Sequence, residues 1–225
     1  LLFDMGRTFM FGGDVFDNGQ NYEKSYNSFG GKYLNNERLR EYINYIFSSL
    51  LTRSRDPLFQ DHMITVEELI MSDNYFNGLE SEDKILLEKV FAHHECGAVP
   101  ESCRKTLENL SKTHKLGLIS NVWCKSEYFI DQLKRDGVFE FFDLTIFSSD
   151  YGMVKPSKKI FKMAAIHFNM KSNEIVYIGD NYKRDVVGSK NAGMKSVLVS
   201  RALWQSVSRG ARRAEFEPRP GGGCR

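Results

Sequence analysis

Four short apolar runs in the second half of the chain constrain its fold more than any other feature: Leu116 to Ile119, Leu144 to Phe147, Ile175 to Ile178 and Ser196 to Val199. Each is short and bounded by turn-forming residues, so each reads as a strand. The segments between them, Glu101 to Lys112, Ser126 to Asp136 and Lys158 to Phe168, carry apolar residues three or four positions apart, which is the helical period. Strand and helix in alternation specify an α/β fold with a parallel, doubly wound sheet. A shorter run of the same kind, Leu1-Leu2-Phe3, opens the chain and supplies a first strand. In such sheets ligands bind beyond the carboxyl ends of the strands. The polar residues there are Asp4, Ser120, the loop from Ser148 to Lys155, and Asp180.

The alternation is interrupted between Asp14 and Cys96. Leu39, Ile43, Ile46, Phe47 and Leu50 recur at helical spacing within Asn36 to Leu51, and Val66 to Met71 and Lys84 to Phe91 add further amphipathic pieces. A helical insertion between the first and second strands is expected. The 225 residues suit one α/β domain carrying such an insertion. The expected division is a core of residues 1–13 and 96–204, an inserted unit of residues 14–95, and a tail of residues 205–225. The tail is set apart because its Gly, Pro and Arg content breaks from a chain otherwise rich in Asn, Lys, Ile, Phe and Tyr, and it reads as added sequence. Leu1-Leu2-Phe3 is short for a central strand, so a few upstream residues are expected to be missing.

The formal charge of +2 does not imply an acidic partner. Residues 205–225 hold five Arg and two Glu, which leaves the rest of the chain slightly acidic and without a footprint for nucleic acid. No apolar run approaches the ~20 residues that span a bilayer. Cys96, Cys103, Cys124 and Cys224 form no C-x-x-C pair, which favours a reducing cytoplasm. The sequon at Asn109-Leu110-Ser111 follows no secretory segment and carries little weight. His93, His94, Cys96 and Cys103 match no common zinc spacing and are expected to lie where the insertion returns to the core. Tyr22, Tyr26, Phe29 and Tyr33 are expected to be core of the insertion. Oligomeric state is left open.

Four segments in order end strands with residues suited to phosphoryl transfer: Phe3-Asp4-Met5-Gly6-Arg7-Thr8, then Leu118-Ile119-Ser120-Asn121, then Gly152-Met153-Val154-Lys155-Pro156, then Ile178-Gly179-Asp180 with Asp185 five residues on. In these motifs, their order and their spacing, the chain resembles the haloacid dehalogenase-like superfamily, with the helical insertion of its subfamily I. The resemblance covers Leu1 to about Trp204. It implies a modified Rossmann core with an α-helical cap, and a Mg²⁺-dependent phosphatase acting on a small phosphorylated metabolite.

The resemblance assigns Asp4 as the nucleophile that forms an aspartyl-phosphate, splitting one difficult displacement into two easier ones. Asp4, the backbone carbonyl of Gly6 and Asp180 would hold Mg²⁺, a hard cation that takes oxygen ligands. Ser120, Asn121 and Lys155 would hold the transferring phosphoryl oxygens, with Ser120 and Lys155 acting in catalysis. Asp185 would orient Lys155 or metal-bound water from behind.

One departure matters. Most phosphatases of the superfamily resemble D-x-D in the first motif, and their second Asp protonates the leaving oxygen; here Gly6 stands there. Acid/base catalysis is commonly worth roughly 10² to 10⁴ in rate. Asp14 and Asp17, near the insertion's start, are conceivable substitutes. A dehalogenase, a phosphonate hydrolase using Lys24 or Lys32 to form an imine, and a catalytically impaired binding protein are the alternatives that Gly6 keeps open.

Overall fold

The computed structural model describes residues 1–17 and 19–199. The expected tail at 205–225 lies outside them. Five parallel strands, β1 (Leu2–Phe3), β2 (Gly117–Ser120), β3 (Leu144–Phe147), β4 (Val176–Gly179) and β5 (Lys195–Leu198), form one sheet in the order β3-β2-β1-β4-β5. β1 is central despite its two residues, since Phe3 stands between Leu118 of β2 and Ile178 of β4. Three strands start or end one residue away from the apolar runs, because the ladder follows hydrogen-bond register: Ser120 pairs with Phe147 and so belongs to β2.

Nine α-helices among the described residues are α1 (Tyr22–Ser28), α2 (Asn36–Arg53), α3 (Val66–Ser72), α4 (Ser81–Glu95), α5 (Glu101–Ser111), α6 (Ser126–Arg135), α7 (Ser148–Tyr151), α8 (Lys158–Phe168) and α9 (Gly188–Asn191). Successive strand residues point to opposite faces, and the core divides accordingly. Phe3, Leu118 and Phe147 pack with Leu107 of α5 and Phe129 and Leu133 of α6. Leu2, Ile119, Ile146 and Tyr177 pack with Ile160, Phe161 and Ala164 of α8. Helices therefore cover both faces of β1 to β4, which explains why those strands read as unbroken apolar runs, whereas Val197 and Leu198 of the edge strand β5 are exposed.

Helices α1 to α4 lie between β1 and β2 in sequence. In α2 the stripe Leu39, Ile43, Ile46 and Leu50 is buried, and Asn35 caps its start by accepting the Arg38 N–H. A reciprocal box of Thr65 and Glu68 starts α3. Helix α1 was not foreseen as a helix. Its only buried residues are Tyr22, Ser25 and Tyr26, and it is held by outside partners: Asn36 Oδ1 accepts from the Tyr22 N–H at 2.9 Å, and the Tyr26 hydroxyl donates to Asp83. The aromatic expectation is corrected in part. Tyr22 and Tyr26 are core, whereas Phe29 is exposed and Tyr33 is 82% exposed.

The chain enters and leaves the insertion through one tight crossing. Phe11 and Ala98 exchange backbone hydrogen bonds of 2.9 Å, and the N–H groups of Asp14 and Val15 donate to the carbonyls of Glu95 and His94. A Cβ at Gly13 would stand 2.3 Å from the Glu95 carbonyl oxygen, and one at Gly97 2.5 Å from that of Phe11, so this approach requires glycine at both.

Candidate active site

The four strand-end motifs converge. Asp4 follows β1 and is anchored there by its N–H, which donates to the Ile178 carbonyl at 2.8 Å. Lys155 reaches in from the loop after α7. Its ammonium donates to Asp4 Oδ1 at 2.5 Å and to the Tyr177 hydroxyl at 2.7 Å, and it lies 2.8 Å from Asp185 Oδ1, an ion-pair contact without hydrogen-bond geometry. All of these groups are buried. The Tyr177 hydroxyl in turn donates to the Ile119 carbonyl at 3.0 Å.

Asp4, Asp180 and Asp185 each offer an oxygen within 4.8 Å of the others. Asp185 reaches this position from the π-helical turn Tyr182–Val187, and its Oδ2 accepts the Asn181 N–H at 2.8 Å. The approach depends on Gly179, where a Cβ would stand 2.5 Å from the Asp185 carboxyl. Burial raises the pKa of Asp4 above its ordinary value despite the nearby Lys155. Burial, then repulsion from Asp4 and Asp185, raises that of Asp180. One oxygen of Asp180, Oδ1, is buried without a hydrogen-bond partner. Crowded carboxylates with an orphaned oxygen lack positive charge, and a hard cation suits an all-oxygen donor set.

The remaining sequence candidates divide. Ser120 ends β2 and is buried. Asn121 is committed to Lys155: its Oδ1 accepts the Lys155 N–H at 2.9 Å and its Nδ2 donates to the Lys155 carbonyl at 3.2 Å, so it braces that loop. Ser148 braces the same region by a mutual pair of 2.9 Å hydrogen bonds with the Val122 backbone. Gly6 bridges to Met10, and a Cβ there would meet nothing within 4 Å. Asp17 serves a local turn, accepting from the Gly19 N–H and the Gln20 amide. Lys24 and Lys32 are exposed and make no hydrogen bond or ion pair with the acidic cluster among the described residues.

Sequence reasoning missed Tyr177 and Glu95. The Glu95 carboxyl, at the end of α4, accepts the Trp123 N–H at 2.7 Å and the Cys124 N–H at 3.2 Å, tying the insertion to the loop that follows Ser120-Asn121. A terminal Glu just before Cys96 was the one available signal. Burial, then repulsion from Asp14, pushes its pKa up to about 8, although both hydrogen bonds favour the charged form. A folded pKa above the unfolded one adds stability that is full below the unfolded value and is lost as pH rises toward the folded value. The melting temperature should therefore decline between about pH 5 and pH 8 partly through Glu95. Glu95→Gln should start lower, having lost one acceptor, and decline less steeply. Thermal melts across that range check this, and parallel curves for the two proteins would contradict it.

The family model described as haloacid dehalogenase-like hydrolase matches residues 19–199. A glyceraldehyde 3-phosphate phosphatase of Methanopyrus kandleri is 28% identical over 135 residues, 58% of this chain and 57% of that protein, so the chain spans little more than half the length of this relative. A solved HAD phosphatase from Thermococcus onnurineus superposes with a TM-score of 0.57 at 27% identity, covering 89% of this chain and 85% of that one. A 2-haloacid dehalogenase from Pseudomonas syringae pv. Tomato gives the same TM-score at 21% identity, covering 88% and 84%, which is a likeness of fold alone.

Proposed function

The chain belongs to the haloacid dehalogenase-like hydrolases, and within that family we propose that it is a Mg²⁺-dependent phosphatase of a small phosphorylated metabolite, with Asp4 as nucleophile. The observation that carries this reading is the buried Lys155 ammonium set between Asp4 and Asp185, beside the unpartnered oxygen of Asp180. A structural ion pair needs one carboxylate for one ammonium. Three carboxyls around one cation leave an excess of negative charge that a protein tolerates only when a ligand compensates it.

Asp4, the Gly6 carbonyl and Asp180 would hold Mg²⁺, which supplies the positive charge that lets a phosphate dianion approach a carboxylate. Asp4 attacks phosphorus, and the phosphoryl group passes to its carboxyl oxygen. The Ser120 hydroxyl and the Lys155 ammonium bind the equatorial oxygens, where charge spreads during transfer. Asp185 and Tyr177 keep the ammonium aimed, and Asn121 fixes the Lys155 backbone. Residues 14–95 form the cap and residues 1–13 with 96–199 the core; Glu95 couples the two. Phosphatase naming among relatives and a solved phosphatase with this fold support the reading. The cytoplasm is the compartment we assign, on the free thiols of Cys96, Cys103 and Cys124. No helix among the described residues is long and apolar enough to cross a membrane.

Phosphate release from a panel of small monoesters, titrated with Mg²⁺, tests the proposal. Wild-type release should vanish in a chelator and return with Mg²⁺. Asp180→Asn should shift half-saturation by tenfold or more, since it trades a carboxylate ligand for a neutral one. Release indifferent to the chelator would remove the metal from the account.

A further inference from the structure

Gly6 leaves the proposed phosphatase without an evident proton donor, and the fold brings another carboxyl to the same end of the sheet. After Asp4 the chain makes a tight loop in which Gly6 bridges to Met10, then pairs Phe11 with Ala98 and so arrives at Asp14, whose N–H is bonded to Glu95; the Glu95 carboxyl holds the loop after β2, which puts Asp14 toward the carboxyl end of the sheet. Asp14 has φ +57, a left-handed conformation uncommon for residues with a side chain and concentrated at functional sites. Its N–H donates to the Glu95 carbonyl at 3.1 Å, which holds it in that conformation.

The Asp14 side chain is exposed and, among the described residues, takes part in no hydrogen bond or ion pair. Of the other carboxyls nearby, Asp17 is engaged in its turn, Asp185 with Lys155 and the Asn181 N–H, and Glu95 with the loop after β2, while Asp4 and Asp180 are those given to the nucleophile and the metal. The groups acting on Asp14 are Arg7, Arg184 and Asp4, and Asp14 acts on Glu95. Burial against the surrounding protein, opposed by Arg7 and Arg184, raises the pKa of Asp14 above the ordinary carboxylate value, the direction that suits a proton donor. A Cβ at Gly6 would meet nothing within 4 Å, so no side chain fills the space beside that position.

We propose that Asp14 is the general acid and base of this site, a role that rests on the phosphatase reading above. As Asp4 bonds to phosphorus and the ester P–O bond breaks, the leaving oxygen takes the Asp14 proton and departs as an alcohol. The Asp14 carboxylate then takes a proton from the water whose oxygen attacks phosphorus. The Asp4–phosphorus bond breaks, and inorganic phosphate, the Asp4 carboxylate and protonated Asp14 are restored.

Rapid-mixing kinetics on an alkyl phosphate and on p-nitrophenyl phosphate, with Mg²⁺, test this in the wild-type protein, Asp14→Asn, and Asp14→Asn combined with Gly6→Asp. Asn tolerates the left-handed conformation, and a thermal melt verifies folding; Asp14→Gly, which also suits that φ, serves as a second variant. Asp14→Asn should slow alkyl phosphate turnover by about 10² to 10⁴. With the aryl ester, whose anion leaves unaided, it should give a stoichiometric burst of nitrophenol at nearly the wild-type rate, followed by slow turnover as the phosphoenzyme waits for a base. Gly6→Asp should restore both steps. Unchanged turnover in Asp14→Asn and Asp14→Gly would overturn the proposal, as would an aryl burst slowed as much as the alkyl reaction. A wild-type protein that releases phosphate from neither ester would instead overturn the phosphatase reading, and this proposal with it.

Discussion

Lys155→Met should lower the melting temperature of the metal-free protein by roughly 10 °C and abolish phosphate release. Met keeps the length of the side chain and loses its charge. The ammonium it replaces is buried and lies between Asp4 and Asp185, so the substitution leaves two buried carboxylates facing each other with Asp180 alongside. Breaking a buried ion pair by removing one partner costs about 3–5 kcal/mol, because the remaining charge keeps its desolvation penalty. For a chain of this size each kcal/mol shifts the midpoint by about 2–4 °C. The Tyr177 hydroxyl also loses the group it accepts from. Saturating Mg²⁺ should recover part of the stability, since a second cation reaches the same carboxylates, but none of the activity, since nothing then holds the phosphoryl oxygens. Differential scanning calorimetry with and without Mg²⁺ measures this. A loss below about 2 °C in the metal-free protein would mean that the cluster is already neutralised by protons, and the charge argument would fail.

The architecture was legible because its signals are local. The apolar runs after the first strand are short, polar residues follow them at Ser120, Ser148 and Asp180, and helix-period segments separate them, so sheet type and crevice follow from topology rules. Asp4, Lys155, Asp180 and Asp185 were readable for the same reason, and the structure brings them together. What escaped depends on contacts between distant residues. Tyr177 reads as one more core aromatic in Val-Tyr-Ile, and only the fold turns its hydroxyl onto an ammonium 22 residues away. Glu95 looks like an ordinary helix-end acid until its carboxyl is found on backbone N–H groups 28 and 29 residues on. The resemblance implies that Asn121 contacts substrate; its place bracing the neighbouring loop through both ends of its amide is visible only in the fold. Helix α1 is mostly polar and is held by Asn36 and Asp83 rather than by its own pattern.

Asp4→Asn should separate catalysis from stability. The amide matches the carboxylate in shape and still accepts a hydrogen bond from Lys155, yet it is a poor nucleophile and a weaker metal ligand. Burial and Asp185 both work against the charged form of Asp4 in the wild-type protein. Neutralising it should therefore leave the metal-free melting temperature unchanged or higher while turnover falls to background. A stable but inactive protein is the outcome expected where a functional group is retained at a cost to the fold. The most direct test is chemical trapping: the protein is mixed with Mg²⁺ and a phosphate ester labelled on phosphorus, quenched in acid within milliseconds, and assayed for protein-bound label that hydroxylamine releases. The wild-type protein should carry hydroxylamine-labile label approaching stoichiometry and Asp4→Asn none; equal label in both, or undiminished phosphate release from Asp4→Asn, would contradict the assignment of Asp4 as the nucleophile.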